Sequence, residues 1–232
     1  MNYLSDMKKI KAMFQVHGSG NMTTQERTVS SFIKLHLHFH GKATIVQSDE
    51  EKVVVECDDN LQEHVGTMNS GRTLYVVEES GIKKPLFTKL HVTIYVRNID
   101  TLRNSMAGEV ETQGPIRSTS PFELVVDALG ESRIELDVPA LKCLLRCNGD
   151  THLSGKSGTT LIKNQANGNL FARELNAASL TLKNMANGNV EVRAEEQIII
   201  KHMGNGYVHY YGPAVLKDVN MMGTDNVRHM KD

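Results

Sequence analysis

The chain has no tryptophan, and only six Tyr and six Phe stand among its 232 residues. That shortage excludes a large aromatic-centred core and any sugar or base site built on Trp platforms. Cysteine is equally scarce: Cys57, Cys143 and Cys147 are an odd count, a poor disulfide framework. In a strand Cys143 and Cys147 would lie roughly 13 Å apart at about 3.3 Å per residue, too far for a bridge. The alternation Leu141, Cys143, Leu145, Cys147 makes both of them small members of a buried apolar row. No CxxC or Cys/His finger spacing accompanies them, so zinc is disfavoured. The formal net charge is −1, so no basic field exists to collect phosphates along a duplex, and nucleic acid is not an expected partner. No apolar run approaches the roughly 18 residues of a spanning helix, so no membrane span is expected in this chain. GxSxG, P-loop, HExxH and dinucleotide fingerprints are absent, and no cofactor is expected.

The start of the chain, Met7-Lys8-Lys9-Ile10-Lys11-Ala12-Met13-Phe14, opens like the basic region of a secretory leader. Its apolar stretch then stops, short of the roughly 7–15 residues a leader core requires. The residues alone therefore predict no signal peptide and a cytoplasmic address unless a leader precedes them. Residues 1–17 read as an N-terminal arm in which Leu4, Ile10 and Phe14 could share one face of a short helix.

What the sequence does have is period-two alternation, in short runs bounded by Gly, Asn, Asp and Ser. Strands are expected over Phe32–Phe39, Ala43–Gln47, Lys52–Cys57, Thr73–Glu78 and Leu90–Val96. Asp58-Asp59-Asn60 and Asn69-Ser70-Gly71 supply turn chemistry between them. Glu79–Lys89, with Gly81 and Pro85, reads as a loop and an internal seam.

The second half is a repeat. Asn164-Gln-Ala-Asn-Gly-Asn-Leu-Phe-Ala172 returns as Asn184-Met-Ala-Asn-Gly-Asn-Val-Glu-Val192 and then as His202-Met-Gly-Asn-Gly-Tyr-Val-His-Tyr210. Weaker copies begin at Asn148 and Asn220, and each strong copy follows a second alternating run: Leu161-Ile-Lys, Leu180-Thr-Leu-Lys, Ile198-Ile-Ile-Lys. A unit of two short strands and two turns cannot bury its own apolar face, so neighbours must stack. The geometry that fits is an all-β parallel β-helix, or β-solenoid, of about 18–20 residues per coil with coils about 4.8 Å apart. A strand-rich N-terminal portion precedes it. Ala166, Gly168, Ala186 and Gly188 suit corners where backbones approach closely, and the asparagines at 164, 184 and 220 can stack amide on amide. The expected organisation is an arm over 1–17 and one domain over 18–230, divided into a strand-rich part at 18–97 and a β-helical part at 98–230.

These residues follow a known pattern. Arg27-Thr-Val-Ser-Ser-Phe-Ile-Lys-Leu-His-Leu37, Gln47, Val53-Val-Val-Glu-Cys-Asp-Asp-Asn-Leu61 and Ser70-Gly-Arg-Thr-Leu-Tyr-Val76 carry it in the first half. Asn-Gly-Asn turns and Tyr210-Tyr211-Gly212-Pro213 carry it in the second, with Asn where Ser and Asp are usual. Over about Gly18 to Arg228 the chain resembles the head GIN domain of the putative auto-transporter adhesin family. The resemblance implies a right-handed coil, an envelope or extracellular location, and no catalytic residues. It also implies an adhesin-like or scaffold role with a surface glycan or envelope protein as partner.

Three constellations could carry chemistry. His36, His38 and His40 alternate with Leu37 and Phe39, so three imidazoles project from one strand face, neighbours about 6.6 Å apart along it, a candidate metal row. Tyr207, His209 and Tyr211 would share one face, with Val208 and Tyr210 on the other, as a ligand-stacking row or an end cap. Glu123, Asp127, Glu135 and Asp137 alternate with apolar residues and face outward. A polysaccharide-cleaving enzyme on the same scaffold would require two of them to line one groove. A short solenoid also has edges through which a homo-oligomer could form.

Overall fold

The computed structural model describes residues 15–79, 81, 84–221 and 226–231. The expected arm therefore lies outside the described residues as far as residue 14. So do 80, 82 and 83 of the expected loop and 222–225 of the last weak copy.

All five strands read from the first half are present, as Lys34–His38, Lys42–Gln47, Lys52–Asp58, Thr73–Glu78 and Leu90–Val96. Beyond them the chain becomes a β-solenoid of about six turns. Its long strands, Ser132–Leu145, Thr151–Asn164, Leu170–Asn184 and Val190–His202, each pass through a corner, so that one half lies on each of two faces. Stacked partners give the coil length directly: Asp150 and Asn169 are 19 residues apart, Asn164 and Asn184 are 20, and Asn184 and His202 are 18. Neighbouring coils pair in parallel and in register. Leu35, Leu102, Leu124, Cys143, Ile162, Leu182 and Ile200 thus form one inward column, every member buried. Cys143 and Cys147 are buried, free thiols, and burial pushes both pKa values up, as expected of core residues rather than nucleophiles.

Spatial order departs from chain order at the N-terminal end. Lys34–His38 lies between Thr73–Glu78 and Thr101–Asn104, and Lys42–Gln47 lies between Leu90–Val96 and Glu109–Gln113. The chain thus lays down a coil, folds back to build the coil that ends the stack, and then steps over to continue it. The end coil is closed by antiparallel strands: Lys52–Asp58 beside Leu90–Val96, Met22–Thr28 beside Lys52–Asp58, and Val65–Ser70 beside Thr73–Glu78. An open parallel edge would invite pairing with another chain, and this reversal covers it. Both parts share the same sheets and one contiguous buried cluster from Phe32 to Ala214. The expected loop Glu79–Lys89 contains a short strand, Lys84–Leu86, paired with Gln15–His17. Pro85 is accommodated there because this is a separate two-stranded edge.

The block Glu56–Leu61 is the knot of this cap. The Asp58 carboxylate is fully buried and accepts the N–H groups of Gly20 and Thr88, both at 2.8 Å. Asp59 takes Ser19 and Asn21, while Asn60 accepts from the Ser19 N–H and donates to the His17 carbonyl. Burial opposes the charge on Asp58, but the hydrogen bonds from Thr88 and Gly20 outweigh it and hold the pKa below the ordinary 3.8. This carboxylate's stabilisation is complete above that value and is lost as pH falls through the folded pKa. Asp58→Ala removes the acceptor of two part-buried backbone N–H groups and empties a buried site, and a loss of about 1–3 kcal/mol is expected in urea unfolding at neutral pH. A change below about 0.5 kcal/mol would show that the segment is held by other contacts.

Candidate binding surface

The corner frame of the repeat extends back to the histidines. Backbone bonds from Ala107 to Phe39, Leu129 to Met106, Asn148 to Ala128, Asn167 to Cys147, Asn187 to Ala166 and Asn205 to Ala186 put these positions in register. His40 therefore opens the column that continues as Ala107, Leu129, Asn148, Asn167, Asn187 and Asn205, and it sits at a corner rather than on a strand. Its Nδ1 lies 2.9 Å from Glu78 Oε2. His36 stands edge-on to Tyr75 at 4.9 Å, its pKa lowered by burial and then by Arg103 and Lys34. His38 and His40 line a hollow of about 200 Å³ with Phe39, Glu78, Met106 and Leu129. Among the described residues no group of three or more His, Cys, Asp and Glu is disposed to hold a metal ion. The three imidazoles do not meet because the strand ends at His38 and the chain turns at Gly41.

Tyr207 and His209 are half-buried and stack, ring centroids 4.1 Å apart and planes 23° from parallel. Tyr211 does not join them as the alternation predicts. It is 6% exposed, with the Arg173 guanidinium 4.4 Å from its ring centre. The strand Val208–Tyr211 ends there and Gly212, at φ +89°, turns the chain, so Tyr210 and Tyr211 are buried consecutively. Tyr210 packs against His229 of the last strand, centroids 4.6 Å apart.

The four carboxylates do not converge. Glu123 and Asp127 belong to one face, where Lys142 holds the first at 2.5 Å and Arg103 and Arg146 hold the second at 3.0 and 2.7 Å. Glu135 and Asp137 stand on the other face, in register with Ser154 and Lys156. A polar hollow of about 860 Å³ contains Asp137 with Arg97 and Arg117, and Gln47 pins its floor to the backbone of both arginines. Asp137 is the only one of the four that lines this hollow.

The structure brings forward a surface that the sequence reading passed over. Lys163, Lys183 and Lys201 are in register on successive coils and exposed. None makes a hydrogen bond or ion pair among the described residues. Beside this column Met185 and Met203 are 48% and 53% exposed. Beyond them runs an exposed amide ladder. Asn167 donates to Asn148 at 2.9 Å, Asn187 to Asn167 at 3.0 Å, and Asn205 to Asn187 at 2.8 Å. Asn167, Asn187 and Asn205 each spend one N–H on the neighbour before them and keep the other for solvent or ligand. The signal was present in the sequence, because a lysine directly precedes Asn164, Asn184 and His202 in the three strong copies.

The sequence profile described as "Putative auto-transporter adhesin, head GIN domain" matches residues 31–214. No curated protein matches the chain. Among solved structures, a putative adhesin from Bacteroides fragilis superposes with a TM-score of 0.87 at 20% identity, covering 93% of this chain and 100% of that one. A putative lipid binding protein from Parabacteroides distasonis gives 0.73 at 16% identity, covering 93% and 99%. A putative adhesin from Parabacteroides merdae gives 0.68 at 19% identity with the same coverage. Identities this low speak to fold, while the profile match spans most of the chain and includes the turn repeats. The chain belongs to the putative auto-transporter adhesin family, as a head GIN domain.

Proposed function

We propose that this domain is a non-catalytic surface-binding module of the cell envelope, adhesin-like in action, whose ligand is a surface glycan or an envelope protein. One observation carries the reading: one outer face presents side chains in register from coil to coil, fixed by a parallel ladder that runs unbroken through Thr159–Asn164, Ser179–Asn184 and Gln197–His202. Such a face suits an extended ligand, whereas the candidate acids are spread over two faces and Glu123 and Asp127 are tied to cations. The stacked Tyr207–His209 pair offers a flat ring surface for a sugar or an apolar side chain.

The test is retention of the folded domain on a glycan array and on intact bacterial cells. Tyr207→Ala is expected to weaken retention roughly tenfold, the loss of one stacked aromatic contact. It should leave the circular dichroism spectrum unchanged, because Tyr207 is half-exposed. No retention on any surface by the intact domain would overturn the reading, and so would release of reducing sugar from a bound glycan.

A further inference from the structure

We infer that the column Lys163–Lys183–Lys201 is a binding site for a linear acidic glycan lying along the solenoid axis, its carboxylates meeting successive ammonium groups. This rests on the surface-binding reading and names the ligand class. On the same face, in the preceding coils, opposite charges are matched from coil to coil. Lys142 meets Glu123, and Asp127 joins Arg103 to Arg146. At the next three coils that pattern stops, and three like charges stand one above another about 4.8 Å apart with no carboxylate between them. Like charges directly opposite on neighbouring strands are destabilising, and a single Glu in the column would relieve them.

The neighbouring columns fit the same ligand. Met185 and Met203 give an exposed apolar strip against which the C–H face of a sugar ring can lie. The amide ladder Asn148–Asn167–Asn187–Asn205 repeats at the same spacing and offers spare N–H and C=O groups to hydroxyls. An extended polymer with one charge per ring matches such a fixed linear array. A fluid anionic bilayer needs no register, so the periodicity favours the polymer.

The experiment measures binding of the intact domain to polygalacturonate oligomers, with neutral dextran and phosphatidylglycerol vesicles as comparators. Two charge-matched variants are required: K163Q/K183Q/K201Q, and K34Q/K84Q/K156Q, which removes three exposed lysines outside the column. The expected result is binding that weakens with added salt, is reduced at least about tenfold in the first variant and is little changed in the second. The first variant should melt at an unchanged or higher temperature, because the repulsion has been removed. Equal loss in both variants would overturn the site, as would full binding by the first variant. Binding to the vesicles but not to polygalacturonate would replace the glycan with a lipid surface. Retention on cells or neutral glycans without polygalacturonate binding would sink the acidic-glycan inference and leave the surface-binding reading standing.

Discussion

Gly168→Ala is expected to destabilise the domain by at least about 3 kcal/mol, the upper range of overpacking effects. A methyl group on Gly168 would lie 2.2 Å from the carbonyl oxygen of Gly149 in the coil before it. The obstacle is backbone, so no side-chain rotamer can relieve it. The coils cannot simply part either, because Gly149 is already set against Gly130, Gly188 against Gly168 and Gly206 against Gly188, at 2.0 to 2.2 Å by the same measure. Upstream the column continues through Gly108 to Gly41, so seven coils meet at one glycine corner. Opening one step of this stack pulls on the hydrogen bonds on both sides, Asn167 to Cys147 and Asn187 to Ala166 among them. Gly81→Ala is the matched control, since a methyl there meets no atom of the described residues within 4 Å. Urea unfolding followed by circular dichroism reads both variants. A Gly168→Ala midpoint within error of Gly81→Ala would mean that the corner is not close-packed.

That column explains which parts of the fold were legible in the sequence. The repeat gave the coil because Asn-Gly-Asn corners and Leu, Ile and Val columns are local signals that recur at one spacing. The same frame also runs through Leu37-His-Phe-His-Gly41, but Phe39 stands where later coils carry Ala128, Cys147 and Ala166, and this bulk disguised the corner as a strand. The histidine row was misplaced for that reason. Tyr211 was misplaced because alternation cannot register where a strand stops, and Gly212 stops it. Spatial order at the N-terminal end was not legible at all. Thr73–Glu78 pairs with Lys34–His38 across nearly forty residues, and period-two alternation carries no information about which strand lies beside which. The lysine column was written in the same three repeats that revealed the solenoid. Its meaning emerges only when register shows that the three charges are neighbours and that no carboxylate stands between them.

The two asparagine ladders are alike in sequence and should differ sharply in energy, because one is buried and the other is not. Asn164 donates to Asn184 at 2.9 Å, and the Asn184 amide donates to His202 Nδ1 at 3.0 Å, all three residues being at most 2% exposed. Asn184→Ala leaves the Asn164 amide and the His202 nitrogen unpaired in the core and opens a cavity, an expected loss of about 3–4 kcal/mol. Asn187→Ala cuts two bonds of the same chemistry in the exposed ladder, where water replaces them, and should cost less than about 1 kcal/mol. Equal midpoints for the two variants in urea would refute burial as the deciding factor. The buried ladder also ends on a titratable group. Accepting at Nδ1 requires a neutral His202, and burial lowers its pKa from the ordinary 6.5, with the Gly206 backbone acting weakly the other way. Burial lowers His36 and His91 as well. The unfolded chain therefore binds more protons than the folded one below about pH 6.5, and stability should be full above that value and fall as pH drops towards the folded pKa values. His202→Gln keeps an acceptor for Asn184 without a proton to gain, so its stability between pH 7 and 5 should fall less steeply than that of the parent. A parallel slope would place the acid sensitivity at the other two histidines and leave the end of the ladder a purely structural bond.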